Sequence, residues 1–311
     1  MRGLPVVGPD IKVWANDMRR YLGRQLDRLS WRVTGQTASE NGMILWDEAK
    51  GYPVASKNGK FVPIILEDAV PYDELLALGL IDNAYAVEKF GRNLDVDVST
   101  TPEDIWNGGG VYTGFVVGAE VASEVLSSDA GDTGTVYIRG LRTPTSLEYE
   151  TASYTLTGTT PVSVGSWWRA NQAWYDSGDN STYNIGEITV RHTATPANVF
   201  IFMPIGQSQT TIACWTVPFG SIALLRQLST EVSRSSASAT AQGALWTREI
   251  NESPRNQFQF VRGNQVPSDA FSPASPVVLL AQTDIAVQIT ATSANNIEVF
   301  SRFSLAVYKG Y

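Results

Sequence analysis

The sequence predicts a mainly β protein: an antiparallel β-sandwich or jelly-roll head, preceded by an N-terminal α-helical anchor and an extended linker. Three observations carry this reading. From Val111 onward, apolar and polar residues alternate with a period of two, as in strands with one buried face. Gly, Ser, Thr, Asn and Pro punctuate those segments at short intervals, as tight turns require. Charged residues make up only 17% of the 311 residues, below the usual quarter, while hydrophobic residues reach 43%. That balance allows a substantial core behind a neutral polar surface.

Residues 10–31 read as a helix. Asp10 after Pro9 is an N-cap signal. Ile11, Ala15, Met18, Leu22, Gln25 and Leu29 follow a four-three spacing, a coiled-coil seam, which Trp14 and Leu26 widen. Gly23 weakens this helix by about 1 kcal/mol. The stripe serves either as an oligomer seam or as the apolar face of one helix docked on its own domain.

Residues 34–68 read as irregular, with some β content in the runs Met43–Trp46 and Phe61–Leu66. Lys57-Asn-Gly-Lys60 is a hairpin signal, because Asn-Gly tolerates positive φ. Pro71 to Leu78 reads as a short helix, with Pro71 in its first turn and Gly79 as its stop. This stretch suits a strap lying on a partner. Residues 91–110, rich in Gly, Asp and Asn, read as a linker with Gly108–Gly110 as hinge.

Alternation is clearest at Val136 and Ile138, at Ile188, Val190 and His192, at Ile285, Val287, Ile289 and Ala291, and at Phe303, Leu305 and Val307. Gly131–Gly134 and Ser293–Asn296 read as turns. Val199–Met203 is apolar on both faces, as expected of a central strand. Residues 233–242 read as a polar loop. The expected organisation is therefore an anchor at 1–33, a strap at 34–90, a linker at 91–110 and a β-sandwich region at 111–311, which two subdomains splitting near 205 would fit. The anchor or seam contacts are assigned to Ile11, Trp14, Met18, Leu22, Leu26, Leu29, Trp46 and Phe61.

The net charge of −8 is uneven: residues 1–32 carry seven Lys/Arg against three Asp, a balance of +4, which leaves −12 for the rest. An acidic bulk argues against nucleic acid as the main partner. The basic start suits either an acidic protein surface or a solvated helix face. Cys214 is the sole cysteine, so no intrachain disulfide forms and folding in a reducing cytoplasm is expected. Its apolar run, Thr211–Val217, marks it as a small core residue. No signal peptide and no apolar stretch of membrane-spanning length is visible, so membrane insertion is not expected.

The motifs argue against an enzyme. His192 is the only histidine, which excludes zinc sites built from two or three imidazoles. Its place on an inward strand face suits a core or interface residue. The Gly-x-Ser-x-Gly elbow and the Gly-x-x-x-x-Gly-Lys-Ser/Thr phosphate loop are both missing. Glycan cleavage needs only two carboxylates, and Glu148 with Glu150, Glu187, and Asp176 with Asp179 are the candidates. Asp95-Val-Asp97 and Asp176–Asn180 offer oxygen ligands without an EF-hand pattern. They read as turn and linker residues, so neither metal nor cofactor is expected.

Aromatics are the better binding signal. Ser166–Asp176 gathers Trp167, Trp168, Trp174 and Tyr175, with Asn171, Gln172 and Asp176 among them. Neighbours in a strand point to opposite faces, so one of Trp167 and Trp168 is expected to face out. It could stack on a sugar ring while the amides and acid bind hydroxyls, or pack in a subunit interface.

Asn93–Val98, Pro102–Gly110, Gly186–Thr193, Thr216–Gly220 and Ser293–Asn296 together resemble segments of virion structural proteins of tailed bacteriophages, over roughly residues 90–311. The resemblance does not extend to the first ninety residues. It implies a non-enzymatic virion component, of fibre, spike or decoration type, fixed to head or tail by its N-terminal region. Its partners would be other virion proteins and copies of itself, with a trimer implied by family habit. A host-attachment module binding surface glycans is the alternative, and a capsule polysaccharide hydrolase the third reading.

Overall fold

The computed structural model describes residues 44–47, 52–57, 60–63, 72–97, 101–115, 118–178, 183–233, 239–250, 252–263, 272–273 and 275–310. They fall into two compact units, residues 1–82 and 83–311. The expected helix at 10–31, with Ile11, Trp14, Met18, Leu22, Leu26 and Leu29, lies outside the described residues.

In the first unit β1 (Ile44–Asp47), β2 (Tyr52–Lys57) and β3 (Lys60–Pro63) form an antiparallel sheet. Lys57 pairs with Lys60, the hairpin that Asn-Gly announced. Trp46 lies on β1 opposite Pro53, and Phe61 on β3 opposite Ser56. Helix α1 (Tyr72–Ala77) ends where expected. Gly79 takes a left-handed φ of 67°. The Leu80 N–H reaches Leu75 O at 2.9 Å and the Gly79 N–H reaches Leu76 O at 3.1 Å, a Schellman closure.

The second unit is two β-sandwiches, one inserted in the other. The base sandwich pairs two sheets. One is built from β4 (Ala84–Val96), β14 (Ser221–Ser233), β17 (Val277–Leu279) and β19 (Ile297–Lys309), in the order β17-β14-β19-β4. The other has β13 (Cys214–Thr216), β15 (Thr240–Arg248), β16 (Arg255–Gly263) and β18 (Asp284–Thr292), in the order β13-β18-β15-β16, with β5 (Glu103–Asp104) paired to β18. Leu225, Leu245, Ile285, Val287, Phe303 and Leu305 fill the space between them.

The inserted sandwich spans the chain between β5 and β13. Its sheets are β12-β11-β6-β9, from β6 (Val121–Ser127), β9 (Val162–Trp167), β11 (Ile188–His192) and β12 (Val199–Met203), and β10-β7-β8, from β7 (Thr135–Leu141), β8 (Glu150–Thr155) and β10 (Arg169–Asp176). Val136, Ile138, Leu156, Ile188, Val190 and Ile201 make its core. Cys214, Trp246 and Ala286 of the base belong to the same cluster. One sheet of the base is thus buried on both faces where it meets the insert, and Cys214 is a fully buried core residue there.

The described residues are almost entirely antiparallel β, and the alternating segments sit where their periods placed them. Several boundaries differ. Residues 91–110 are not a linker: β4 runs through residue 96, paired along its length with β19. Gly91 is small because a Cβ there would meet Ile105 O at 2.1 Å and Ala213 N at 2.4 Å. Asn93, 2% exposed, donates to Glu103 Oε2 and to Asp104 O. Small and polar residues here satisfy a tight approach rather than loosen a hinge. Gly109 and Gly110 do turn the chain, with φ of 68° and 60°. Residues 84–90, expected in the strap, belong to the same strand.

The split near 205 becomes an insertion that returns to the base at Ala213, since Ile105 and Ala213 both lie in the base core. Val199–Met203 is the end strand of its sheet, not a central one. Val199 and Phe202 nevertheless pack on the insert core, which explains its apolar character on both faces. Residues 240–242 lie in β15 rather than in a loop. Ala291 is exposed, because a bulge between Gln242 and Gly243 throws the end of β18 out of step with Ile285, Val287 and Ile289.

Candidate functional site

The Trp-rich motif lies at the junction of the two sandwiches. Trp167 ends β9, Arg169 opens β10, and Trp168 occupies the bend between them. The Trp168 N–H is shared by Leu141 O at 3.0 Å and Arg142 O at 3.1 Å. That bend cancels the strand alternation, so both tryptophans are buried, at 1% and 3% exposure. The expectation that one faces solvent is corrected. Arg142 caps the Trp167 ring at 3.6 Å, and Arg169 lies 4.2 Å from the centroid of Trp168.

Arg169 is also the centre of a buried ionic cluster. Its Nε and Nη2 donate to the two Asp284 carboxylate oxygens at 2.9 and 3.0 Å. Arg248 Nη2 donates to Asp284 Oδ2 at 2.8 Å, and the Thr216 hydroxyl to Oδ1 at 2.7 Å. Asn171, expected on a sugar-binding face, is instead 1% exposed and donates to the Tyr149 hydroxyl, which donates in turn to Thr216 O. Lys89 of β4 donates to Asn171 O at 2.8 Å. Burial lowers its pKa to about 8.

Asp104 is the second buried acid of the junction. It accepts from the Tyr112 N–H at 2.7 Å, Gln288 Nε2 at 3.2 Å and Trp246 Nε1 at 3.4 Å. Desolvation raises its pKa to about 6 against these hydrogen bonds. Trp106, Tyr112, Phe115 and Trp246 form a chain of edge-to-face contacts with centroids 5.0 to 5.6 Å apart.

The motif's second half behaves differently. Ala173 and Tyr175 point into the core, while Gln172, Trp174 and Asp176 share the outer face of β10. Trp174 stacks on Tyr137, its register partner on β7, with centroids 5.2 Å apart and planes 8° off parallel. Beside it opens a cleft of about 220 Å³, lined by Trp174 and Gln172, by Glu88, Lys89 and Phe90 of β4, and by Gln209 from the segment returning to the base. Tyr137, Glu88, Phe90 and Gln209 carried no sequence signal, because β4 and β10 are brought together only by the insertion. Asp176 folds back on its own turn, accepting from the Gly178 N–H at 2.8 Å.

The other candidates are accounted for separately. His192 is 7% exposed, 5.4 Å from the Phe200 ring, with its pKa lowered by burial. Glu148 pairs with Lys309, and Glu150 with Arg142. Asp97 accepts from the Asn296 N–H. Among the described residues, no group of three acids, histidines or cysteines could hold a metal ion, and no helix is long and apolar enough to cross a membrane.

No family model matches the chain, and no curated protein matches it in sequence. Among solved structures, it is similar to the VP2 subviral particle of infectious bursal disease virus at 11% identity, over 74% of this chain and 73% of that one, with a TM-score of 0.18. A second similarity is to the T13 viral particle of the same virus, at 11% identity over 77% and 76% of the two chains, with a TM-score of 0.16.

Proposed function

We propose that the protein is a non-enzymatic structural component of a tailed-phage virion, fixed to the head or tail by its N-terminal region and projecting the double sandwich. The observation that supports this most is the junction. A sandwich inserted between Ile105 and Ala213, and locked to its base by the Arg169–Asp284–Arg248 cluster, is a rigid spacer. The polar, sparsely charged composition and the sequence resemblance point the same way. Other virion proteins and further copies of the chain, as a trimer, are its proposed partners.

Mass spectrometry of gradient-purified particles tests this. The full chain is expected in particles at fixed stoichiometry, and a chain lacking residues 1–33 is expected to be lost from them. Absence of the full chain from particles would sink the reading. Incubation with host polysaccharide is expected to release no new reducing ends.

Host attachment is the second reading. It is favoured by one observation: Trp174, Gln172 and Asp176 of the aromatic motif reach the outer face.

A further inference from the structure

We propose that the cleft between β4 and β10 is a saccharide site that seats one neutral sugar ring against Trp174. This deepens the host-attachment reading, but it stands on the cleft itself and not on the virion assignment.

A pyranose presents an apolar face of C–H groups and a rim of hydroxyls, each both donor and acceptor. Its site needs a fixed aromatic surface and uncommitted polar side chains at the edge. Trp174 supplies the surface. It points away from the core, and Tyr137 braces part of its ring while the remainder lines the cleft. Phe90, 49% exposed, adds a second aromatic wall.

The rim is Glu88, Gln172 and Gln209, all exposed. None of these three side chains makes a hydrogen bond among the described residues. Of their polar neighbours, Lys89 donates to Asn171 O, the Asn171 amide N–H donates to Tyr149, and Thr210 accepts from the Ala173 N–H. Two amides and a carboxylate offer donors and acceptors together, as sugar hydroxyls demand.

Charge and size narrow the ligand. Glu88 opposes an anion, and Lys89, the one cation lining the cleft among the described residues, is buried and held by a backbone carbonyl. Arg139, opposite Gln172 in the ladder, lies 6.0 Å from the Tyr149 ring centroid. Glu88 on the rim therefore disfavours a phosphate or an acidic sugar, and the exposed Arg139 beside Gln172 is the cation such a ligand would have to reach. A volume of about 220 Å³ falls below the roughly 300–1,000 Å³ of sites for drug-sized ligands. It suits a single ring whose neighbours run out into solvent.

The test is saturation-transfer NMR on the full chain with methyl α-D-glucopyranoside, methyl β-D-galactopyranoside and N-acetylglucosamine, each as a separate probe. Transfer to the ring C–H protons of at least one sugar is expected. It should vanish in Trp174→Ala, persist in Trp174→Phe, and fall several-fold in Gln172→Ala and Gln209→Ala. Phe219→Ala, at an exposed site away from the cleft lining, should leave it unchanged. No transfer from any of the three sugars overturns the proposal, as does transfer that survives Trp174→Ala. Should Trp174→Ala lose its fold by circular dichroism, the exposed Gln172 and Gln209 variants decide, and undiminished transfer in both overturns it. These outcomes are independent of whether the chain enters particles.

Discussion

Arg169 and Asp284 stand 115 positions apart and meet as a two-pronged ion pair across the junction of the sandwiches, at 2.9 and 3.0 Å. The side chains are 4% and 3% exposed. Asp284 is shared with Arg248 and Thr216, so its removal takes the carboxylate from a buried cation, Arg169, and from a half-buried one, Arg248. Asp284→Ala is expected to cost about 3–5 kcal/mol, the range for breaking one partner of a buried pair. Arg248→Met, which leaves Arg169 paired, should cost less. Urea unfolding of the three proteins checks the order, and equal losses would refute it.

Asp104 gives the protein an acid-side pH dependence. Its folded pKa of about 6 exceeds the ordinary 3.8. Between those values the folded state holds a proton that the unfolded chain has released. This group's contribution is therefore full below about pH 4 and is lost as pH rises through 6, by roughly 3 kcal/mol at most. Stability measured from pH 4 to 7 should decline less steeply in Asp104→Asn than in the parent. An unchanged slope would mean that another group is responsible.

Lys89 acts on the alkaline side. Its folded pKa near 8 lies below the ordinary 10.5, so over that window the unfolded chain carries the extra proton. Stability should therefore rise as pH climbs from 8 to 10.5. Lys89→Met, which keeps the length and drops the charge, is expected to flatten that rise. Thermal unfolding at pH 8 and pH 10 is the measurement.

Gly91 separates a strand from a linker by experiment. In a linker, Gly91→Ala would be neutral or mildly stabilising. Against Ile105 O and Ala213 N, which a Cβ would approach to 2.1 and 2.4 Å, the same change must push backbone apart. A loss of about 3 kcal/mol is expected, the upper end for overpacking, because the site is lined by backbone. Gly109→Ala meets no atom within 4 Å, although its φ of 68° imposes strain, and it should cost only about 1 kcal/mol.

The two halves of the Trp-rich motif should also part company. Trp167→Ala and Trp168→Ala empty buried sites and should cost about 3–5 kcal/mol each. Trp174→Ala, on the outer face, should leave the unfolding midpoint within about 1 kcal/mol of the parent. A similar loss in all three would place Trp174 in the core.

Local physics made much of this fold legible in the sequence. Val136 with Ile138, Ile188 with Val190, Ile285 with Val287, and Phe303 with Leu305 alternate because a strand turns successive side chains to opposite faces, and all are buried. Gly79 stopped a helix, and the Asn-Gly signal marked the pairing of Lys57 with Lys60, for equally local reasons. Cys214 reads as a core residue because its run is apolar, and His192 as a core or interface residue because it shares a strand face with Ile188 and Val190. None of these inferences needed a contact distant in sequence.

What only the tertiary structure decided depends on such distant contacts. Gly91 and Asn93 resemble linker residues until β19, more than two hundred positions on, pairs with them. Trp168 resembles an exposed residue until Leu141 and Arg142 bend the chain beneath it. The candidate sugar cleft exists because the insertion returns to the base at Ala213 and lays β10 beside β4. Alternation reports which face of a strand is buried, but not which strand lies against it. That choice rests on packing and on buried charge pairs such as Arg169 with Asp284, whose partners are set by the fold as a whole.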